Sequence, residues 1–182
     1  NVDEVKVIDE QMEITQGKLV MGYRANVDYA DIDKYYALVV GSNVLGGGPH
    51  SKLFVNVREK ESLCYYIFSS IEKYKSIMFI SSGIETKDYD KAVELIKKQV
   101  ESVKAGDISD EELENSKLAL VNSMKSITDN IGGMSDFVFS QSMAKTNSEV
   151  QDIISSIEKV TKKDIVEAIK NIELDTVYFL RN

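Results

Sequence analysis

Residues 45–66 of the chain read Leu-Gly-Gly-Gly-Pro-His-Ser-Lys-Leu-Phe-Val-Asn-Val-Arg-Glu-Lys-Glu-Ser-Leu-Cys-Tyr-Tyr. Three glycines and a proline end an apolar helix here, because both residue types disfavour helix continuation. A short amphipathic helix is predicted over residues 51–60, with Leu53, Phe54 and Val57 on one side. A strand is predicted to follow over residues 63–72. The block therefore predicts two helices and a strand in close succession.

Hydrophobic patterning predicts strands on both sides of this block. They are expected over residues 18–27, 63–72, 77–84 and 176–180, with a short edge strand around Val5, Val7 and Ile8. The connection over residues 73–76 is short, which favours an antiparallel hairpin. Strands joined this closely, with helices grouped between them, are typical of an α+β domain. We expect an antiparallel sheet with helices packed on one face.

The sequence contains clear helix signals both before and after the predicted hairpin. A first long helix, capped by Asp28 or Asp31, is expected to be buried from Ala37 onward. Four further helices are expected after the hairpin: residues 88–105, ending at Gly106; residues 109–127; one from 148; and one from 161. Capping boxes are predicted at Ser109–Glu112, Ser148–Gln151 and Thr161–Asp164, and Gly132 and Gly133 are expected to interrupt this region.

Composition limits the possible functions. The 182 residues suit one domain, predicted over residues 1–182, with a net charge of −8. This charge argues against a nucleic-acid surface and against a polybasic membrane patch, since both need clustered Lys and Arg. The single cysteine, Cys64, excludes an internal disulfide, so we expect a cytoplasmic protein. Because the first residue is Asn1 and not Met, we expect a trimmed chain or a fragment.

The glycine block resembles the second, zinc-free domain of pitrilysin- and insulysin-type metallopeptidases, and the same part of mitochondrial processing peptidase subunits. In that family the stretch reads Leu-Gly-Gly-Gly, a few small residues, Arg-Leu-Phe and later Arg-Glu-Lys-x-Gly-Leu-Ala-Tyr. The matching positions are Leu45, Gly46, Gly47, Gly48, Leu53, Phe54, Arg58, Glu59, Lys60, Leu63 and Tyr65. The resemblance covers nearly the full chain and implies the C-terminal half of a longer two-domain peptidase.

The resemblance also implies roles for Arg58 and Tyr65. In the family these two residues reach across to the substrate and hydrogen-bond the carbonyl of the bond being cut. A guanidinium and a phenol suit this task, because hydrolysis places negative charge on that oxygen. If the strand is regular, Tyr66 points to the opposite sheet face and packs. The chain departs from the family pattern at Pro49, His50, Lys52, Glu61, Ser62 and Cys64.

The chain lacks the residues for the family's zinc motif, His-x-x-Glu-His. It has one histidine, His50, and one cysteine, so a site with two imidazoles is impossible. Zinc is therefore expected on a partner domain or subunit. His50 is interpreted as a loop residue, with a contact at a domain interface as the alternative. Cys64 is interpreted as a small apolar strand residue, and no serine nucleophile motif is present.

Three functions stay open at this point. The chain could be the non-zinc domain of a zinc endopeptidase, enclosing a cleft and contacting the peptide substrate. It could instead be a non-catalytic partner or scaffold subunit that pairs with a separate zinc-bearing chain. A third alternative is an unrelated α+β binding module. In none of the three is this chain alone expected to cut a peptide.

Overall fold

The computed structural model describes residues 2–182, which fold into one five-stranded sheet with helices on one side. The strands are β1 (Lys6–Gln11), β2 (Gly17–Arg24), β3 (Cys64–Glu72), β4 (Ile77–Ile84) and β5 (Glu173–Arg181). The α-helices are α1 (Ile32–Gly46), α2 (Tyr89–Lys104), α3 (Asp110–Thr128), α4 (Ile131–Ala144), α5 (Val150–Lys159) and α6 (Lys162–Ile169). A π-helix, Phe54–Glu59, and a 3₁₀ turn, Thr86–Asp88, complete the set.

The strand order is β1-β5-β2-β4-β3, so β1 and β3 form the two edges of the sheet. The predicted hairpin of β3 and β4 is antiparallel, as are the pairs β4–β2 and β2–β5. The edge strand predicted near Val7 is confirmed as β1, and it pairs with β5 in parallel. The α+β class is therefore confirmed, and the parallel β1–β5 pair is a feature that the sequence analysis did not predict.

The sheet buries one face and leaves the other half-exposed. Along β2, Leu19, Met21 and Tyr23 are buried, whereas the alternate residues Val20 and Gly22 are only partly covered. This period of two is the pattern of a sheet covered on one side. Helix α1 lies against the covered face and contacts β3, α3, α5 and α6. Because the sheet and other helices cover α1 on nearly every side, its sequence is apolar from Ala37 onward.

Helix α4 was not predicted, and the start of α5 differs from the prediction. Gly132 and Gly133 do not interrupt the chain but lie in the first turn of α4, where the side chain of Asn130 accepts a hydrogen bond from the Gly133 amide at 3.0 Å. The expected cap of α5 is shifted by one residue, since the Glu149 amide donates to the Asp152 carboxylate at 2.8 Å. Within residues 2–182, no helix is both long and apolar enough to cross a bilayer.

The glycine block begins where α1 meets the edge of the sheet. Gly46 is the last residue of α1, and a Cβ atom there would lie 2.5 Å from the Ser69 backbone nitrogen on β3. One turn earlier in α1, the Ser42 and Ser69 hydroxyls are 2.7 Å apart, within hydrogen-bonding distance. The helix can approach the strand this closely only because position 46 has no side chain.

Replacing Gly46 with Ala should lower the free energy of unfolding by about 1–3 kcal/mol, because the new methyl group would push α1 away from β3. Gly48→Ala is the matched control, since a Cβ there would be 3.5 Å from its nearest neighbour, the His50 ring. We expect the control to change stability by no more than about 0.5 kcal/mol. Urea unfolding of both variants measures the difference, and equal effects would contradict the steric explanation.

Candidate functional site

The helix that follows the glycines is wider than predicted. Residues Phe54–Glu59 form a π-helix, in which the Lys60 amide donates to the Val55 carbonyl at 3.1 Å. The predicted helix at residues 51–60 is therefore present, but most of it has i→i+5 instead of i→i+4 hydrogen bonds. Single π turns are rare and are found frequently at functional sites. This turn carries Arg58 near its C-terminal end.

Arg58 contacts an aromatic ring, whereas the other two arginines of the chain form ion pairs with aspartates. Arg24 binds Asp175 at 2.9 Å, and Arg181 binds Asp9 at 2.8 Å. The carbon at the centre of the Arg58 guanidinium instead lies 4.6 Å from the centroid of the Phe54 ring. Within residues 2–182, Arg58 makes no ion pair, and its side chain is exposed. Its N–H groups are therefore free to donate to an external acceptor.

Tyr65 lies at an irregularity in β3. The pairing of β3 with β4 shifts register between Cys64 and Tyr66, so Tyr65 is an extra residue opposite β4. The regular strand assumed for Tyr66 is therefore wrong at this point, since a bulge changes the direction of the side chains. Tyr65 is 61% exposed, while Tyr66 is half-buried and stacks on Phe68 with 6.1 Å between ring centroids. The exposed phenol is available at the sheet edge.

A charged pair borders the Tyr65 hydroxyl. Glu85, the first residue after β4, binds Lys87 at 2.7 Å. This contact with Lys87 is the main reason why the pKa of Glu85 is lowered, so the carboxylate is ionised at neutral pH. The phenol thus has a polar neighbour at one side of the bulge.

Cys64 lies between the two candidate residues in the sequence, at the start of β3. The thiol is 9% exposed, and burial raises its pKa, which leaves it protonated and unreactive as predicted for a packed strand residue. The Ser62 amide donates to the Arg58 carbonyl at 3.1 Å and the Leu63 amide to the Val57 carbonyl at 3.4 Å, which places the end of the π-helix beside the start of β3. Arg58 and the bulge at Tyr65 therefore belong to one region of the surface.

Lys52 has a role that the sequence analysis missed. It occupies the position of the family's arginine before Leu-Phe and is 6% exposed. Its ammonium group is 3.0 Å from Glu112 and 3.8 Å from Asp107. Glu112 lies in the first turn of α3, so this ion pair connects that helix to the glycine block. A lone basic residue in an apolar stretch was the only signal for this contact.

His50 lies in the turn after the glycines and contacts two neighbouring helices. Its Nε2 atom is 3.1 Å from the Ser116 hydroxyl and 3.3 Å from the Asn43 side-chain oxygen. Burial lowers the pKa of the imidazole, with Glu112 acting in the opposite direction. Over residues 2–182, no three His, Cys, Asp or Glu side chains are grouped closely enough to hold a metal ion.

Comparison with known proteins identifies the block. Residues 2–120 match the model of the family described as the peptidase M16 inactive domain. The chain belongs to this family. The predicted resemblance to the zinc-free domain of zinc metallopeptidases is therefore confirmed. Family membership establishes the domain type and leaves the individual roles of Arg58 and Tyr65 as predictions.

Two relatives come from Bacillus subtilis strain 168. This chain is 42% identical over 180 residues, 99% of its length, to YmfF, named a probable inactive metalloprotease, and covers 42% of that protein. It is 30% identical over 120 residues to YmxG, named an uncharacterized zinc protease; the match covers 64% of this chain and 29% of YmxG. The chain thus spans less than half the length of the curated relatives that it matches.

Solved structures show the same fold. A conserved protein from Enterococcus faecalis V583 superimposes with a TM-score of 0.92 at 34% identity, over 99% of the M16 domain and 42% of that chain. A protease from Helicobacter pylori superimposes with a TM-score of 0.78 at 18% identity, over 99% of the domain and 44% of that chain. The second likeness shows the fold alone.

The position of Ser62 generates a stability prediction. Its φ angle is 55°, in the left-handed region, where the family pattern has glycine. This conformation costs a non-glycine residue about 1–2 kcal/mol, which glycine would avoid. Glycine also has more freedom in the unfolded state, and this offsets about 0.5–1 kcal/mol of the gain in stability. We therefore expect Ser62→Gly to raise the free energy of unfolding by about 0.5–1 kcal/mol, measured by urea denaturation.

Ser76→Gly is the control for this substitution. Ser76 has a similar φ angle, 50°, but its hydroxyl accepts a hydrogen bond from the Val27 amide at 2.7 Å. Glycine there relieves the same backbone conformation and removes that acceptor, so the variant should be less stable than wild type. Destabilisation by Ser62→Gly would show that its backbone angle carries no cost.

Proposed function

We propose that this chain is the zinc-free half of a zinc-dependent endopeptidase, in which Arg58 and Tyr65 contact the carbonyl of the peptide bond that is cut. The observation that carries the proposal is the exposed Arg58 guanidinium, which has no acidic partner within residues 2–182. The Arg58 carbonyl accepts a hydrogen bond from the Ser62 amide at 3.1 Å, just before the strand whose bulge presents Tyr65. An unpaired guanidinium at the surface is suited to bind an oxygen supplied by another molecule.

The chemistry of hydrolysis matches these two groups. Attack by a zinc-activated water places negative charge on the carbonyl oxygen, and the zinc-bearing half would supply that water. Arg58 would donate charged N–H groups to the oxygen, and Tyr65 would donate its O–H. Donors of this kind lower the barrier because they interact more strongly with the charged intermediate than with the neutral carbonyl.

The proposal requires a partner that carries zinc. The M16 domain spans 42% of YmfF, which leaves room in a protein of that length for a second domain of similar size. The half-exposed sheet face, with Val20 and Phe79 among its residues, is a surface that such a domain could cover to enclose a cleft. We place the protein in the cytoplasm, on the basis of its single free thiol.

A non-catalytic partner subunit is the second candidate function. It is supported by the name of YmfF, a probable inactive metalloprotease, and by 42% identity to that protein. The departures from the family block at Lys52, Glu61 and Ser62 point the same way, although none of them removes Arg58 or Tyr65. In this function the domain would stabilise a separate zinc-bearing chain without contacting the bond being cut.

Arg58→Ala and Tyr65→Phe should each reduce peptide cleavage by the assembled zinc-bearing protein. Removing one donor to a developing oxyanion typically costs about 2.7–4 kcal/mol, so we expect kcat to fall by about 10²–10³-fold. Cleavage of a fluorogenic peptide gives kcat and KM for each variant. Thermal unfolding should be nearly unchanged, since both side chains are exposed.

Matched controls exist for both substitutions. Tyr74→Phe removes a hydroxyl from another exposed tyrosine, at the tip of the hairpin. Arg24→Ala removes an arginine that is already bound to an aspartate. Both controls should keep wild-type kcat. If the zinc-bearing assembly cleaves peptide and both site variants keep full kcat, the role of these residues in catalysis is wrong and the partner-subunit function is favoured.

The purified 182-residue chain should bind no stoichiometric zinc. It has one histidine and one cysteine, and no candidate metal cluster occurs within residues 2–182. Metal analysis after dialysis against zinc should give well under one ion per chain. One tightly held ion per chain would contradict the assignment of zinc to another domain.

A further inference from the structure

We propose that Phe54 is a positioning residue for Arg58, holding the guanidinium ready for the substrate carbonyl. The inference rests on the proposed function of Arg58 and adds a residue to which no role in the reaction has been assigned. It follows from one contact, the 4.6 Å separation between the guanidinium carbon and the centroid of the Phe54 ring.

The geometry of the contact explains why an aromatic partner suits this arginine. A guanidinium has its donors in its own plane, so an aspartate that binds it occupies an N–H edge. Arg24 and Arg181 are bound in this way, each through its Nε atom. A ring attracts the cation through its π face instead. Phe54 therefore restrains Arg58 without using the donors that a substrate oxygen needs.

The restraint matters because an arginine side chain is long and mobile. An exposed Arg has about 2 kcal/mol of rotamer entropy to lose when it binds an acceptor. A contact that already selects one arrangement lowers this cost before the substrate arrives. Phe54 is itself half-buried and is anchored in the π-helix between the buried residues Leu53 and Val57. The anchored Phe54 ring can therefore limit the motion of the Arg58 guanidinium.

The π-helix brings the two side chains together. Phe54 and Arg58 are four residues apart, a spacing that places side chains on the same face of a helix. Arg58 also lies near the C-terminal end of the turn, where the helix dipole favours a cation. Both factors favour a guanidinium held at the end of the π-helix, where the Arg58 carbonyl accepts a hydrogen bond from the Ser62 amide at 3.1 Å just before β3.

The contact can be tested with three substitutions. Phe54→Leu keeps an apolar side chain and removes the π face, whereas Phe54→Tyr keeps the face and should rescue the effect. Phe139→Leu is the matched control, because Phe139 is a 61%-exposed phenylalanine on α4, outside the proposed site. Thermal unfolding of all three separates loss of positioning from loss of fold.

The first readout is the NMR spectrum of the 182-residue chain. Protons of the Arg58 side chain should be shifted upfield by the Phe54 ring current in wild type and in Phe54→Tyr. The shift should disappear in Phe54→Leu and persist in Phe139→Leu. Arg58 resonances at random-coil positions in wild type would show that the contact is not formed in solution, and would overturn the proposal without involving catalysis.

The second readout is peptide cleavage by the zinc-bearing assembly. A cation–π contact at an exposed site is worth about 0.5–1 kcal/mol, so Phe54→Leu should lower kcat by about two- to fivefold, with KM little changed. Phe54→Tyr and Phe139→Leu should keep wild-type kcat. In an Arg58→Ala background, Phe54→Leu should have no further effect, because the group that it positions is gone.

The outcomes separate this inference from the proposed function. If Arg58→Ala lowers kcat and Phe54→Leu does not, Phe54 has no positioning role while the function of Arg58 stands. If Arg58→Ala has no effect, or if wild type cleaves nothing, the proposed function is wrong and the positioning role falls with it. An equal loss in Phe54→Leu and Phe54→Tyr would also overturn the inference, since the π face would then be irrelevant.

Discussion

The close contact between the end of α1 and strand β3 determines how the rest of the candidate site is built. Gly46 lets the helix approach the Ser69 backbone to a distance that any side chain would prevent, and the Ser42 hydroxyl lies within hydrogen-bonding distance of that of Ser69. Because the helix ends there, the chain must turn at once and return to the same sheet edge. The π-helix and the bulge at Tyr65 are the short path by which it does so.

Strong local signals made most of the fold predictable. Capping boxes at Ser109 and Thr161 mark two helix starts, and both are present. Helix α4 was missed because Gly132 and Gly133 are poor helix formers and because its apolar and polar residues are spread around the helix, so no periodic face stands out. The parallel pairing of β1 with β5 depends on contacts between distant parts of the chain, which local patterns do not encode.

The sequence selects candidate residues for the site but does not give their geometry. The match to the family block selects Arg58 and Tyr65, both of which are exposed, and their roles stay predictions. The end of the π-helix at Arg58 is hydrogen-bonded to the segment just before β3. The widened turn beneath Arg58 could not be predicted, since Leu53, Phe54 and Val57 fit an α-helix equally well. The ion pair between the buried Lys52 and Glu112 could not be predicted either, because the sequence does not show that α3 packs beside the glycine block.

The position of β5 within the sheet constrains how this domain can be made. The strand lies between β1 and β2, yet it is contributed by the final segment, Glu173–Arg181. As the ribosome extends the chain, β2 can pair with β4, but β1 has no partner strand until β5 emerges. The sheet therefore closes late, and β1 and one edge of β2 stay unpaired during synthesis, when contacts with other unfinished chains compete with folding.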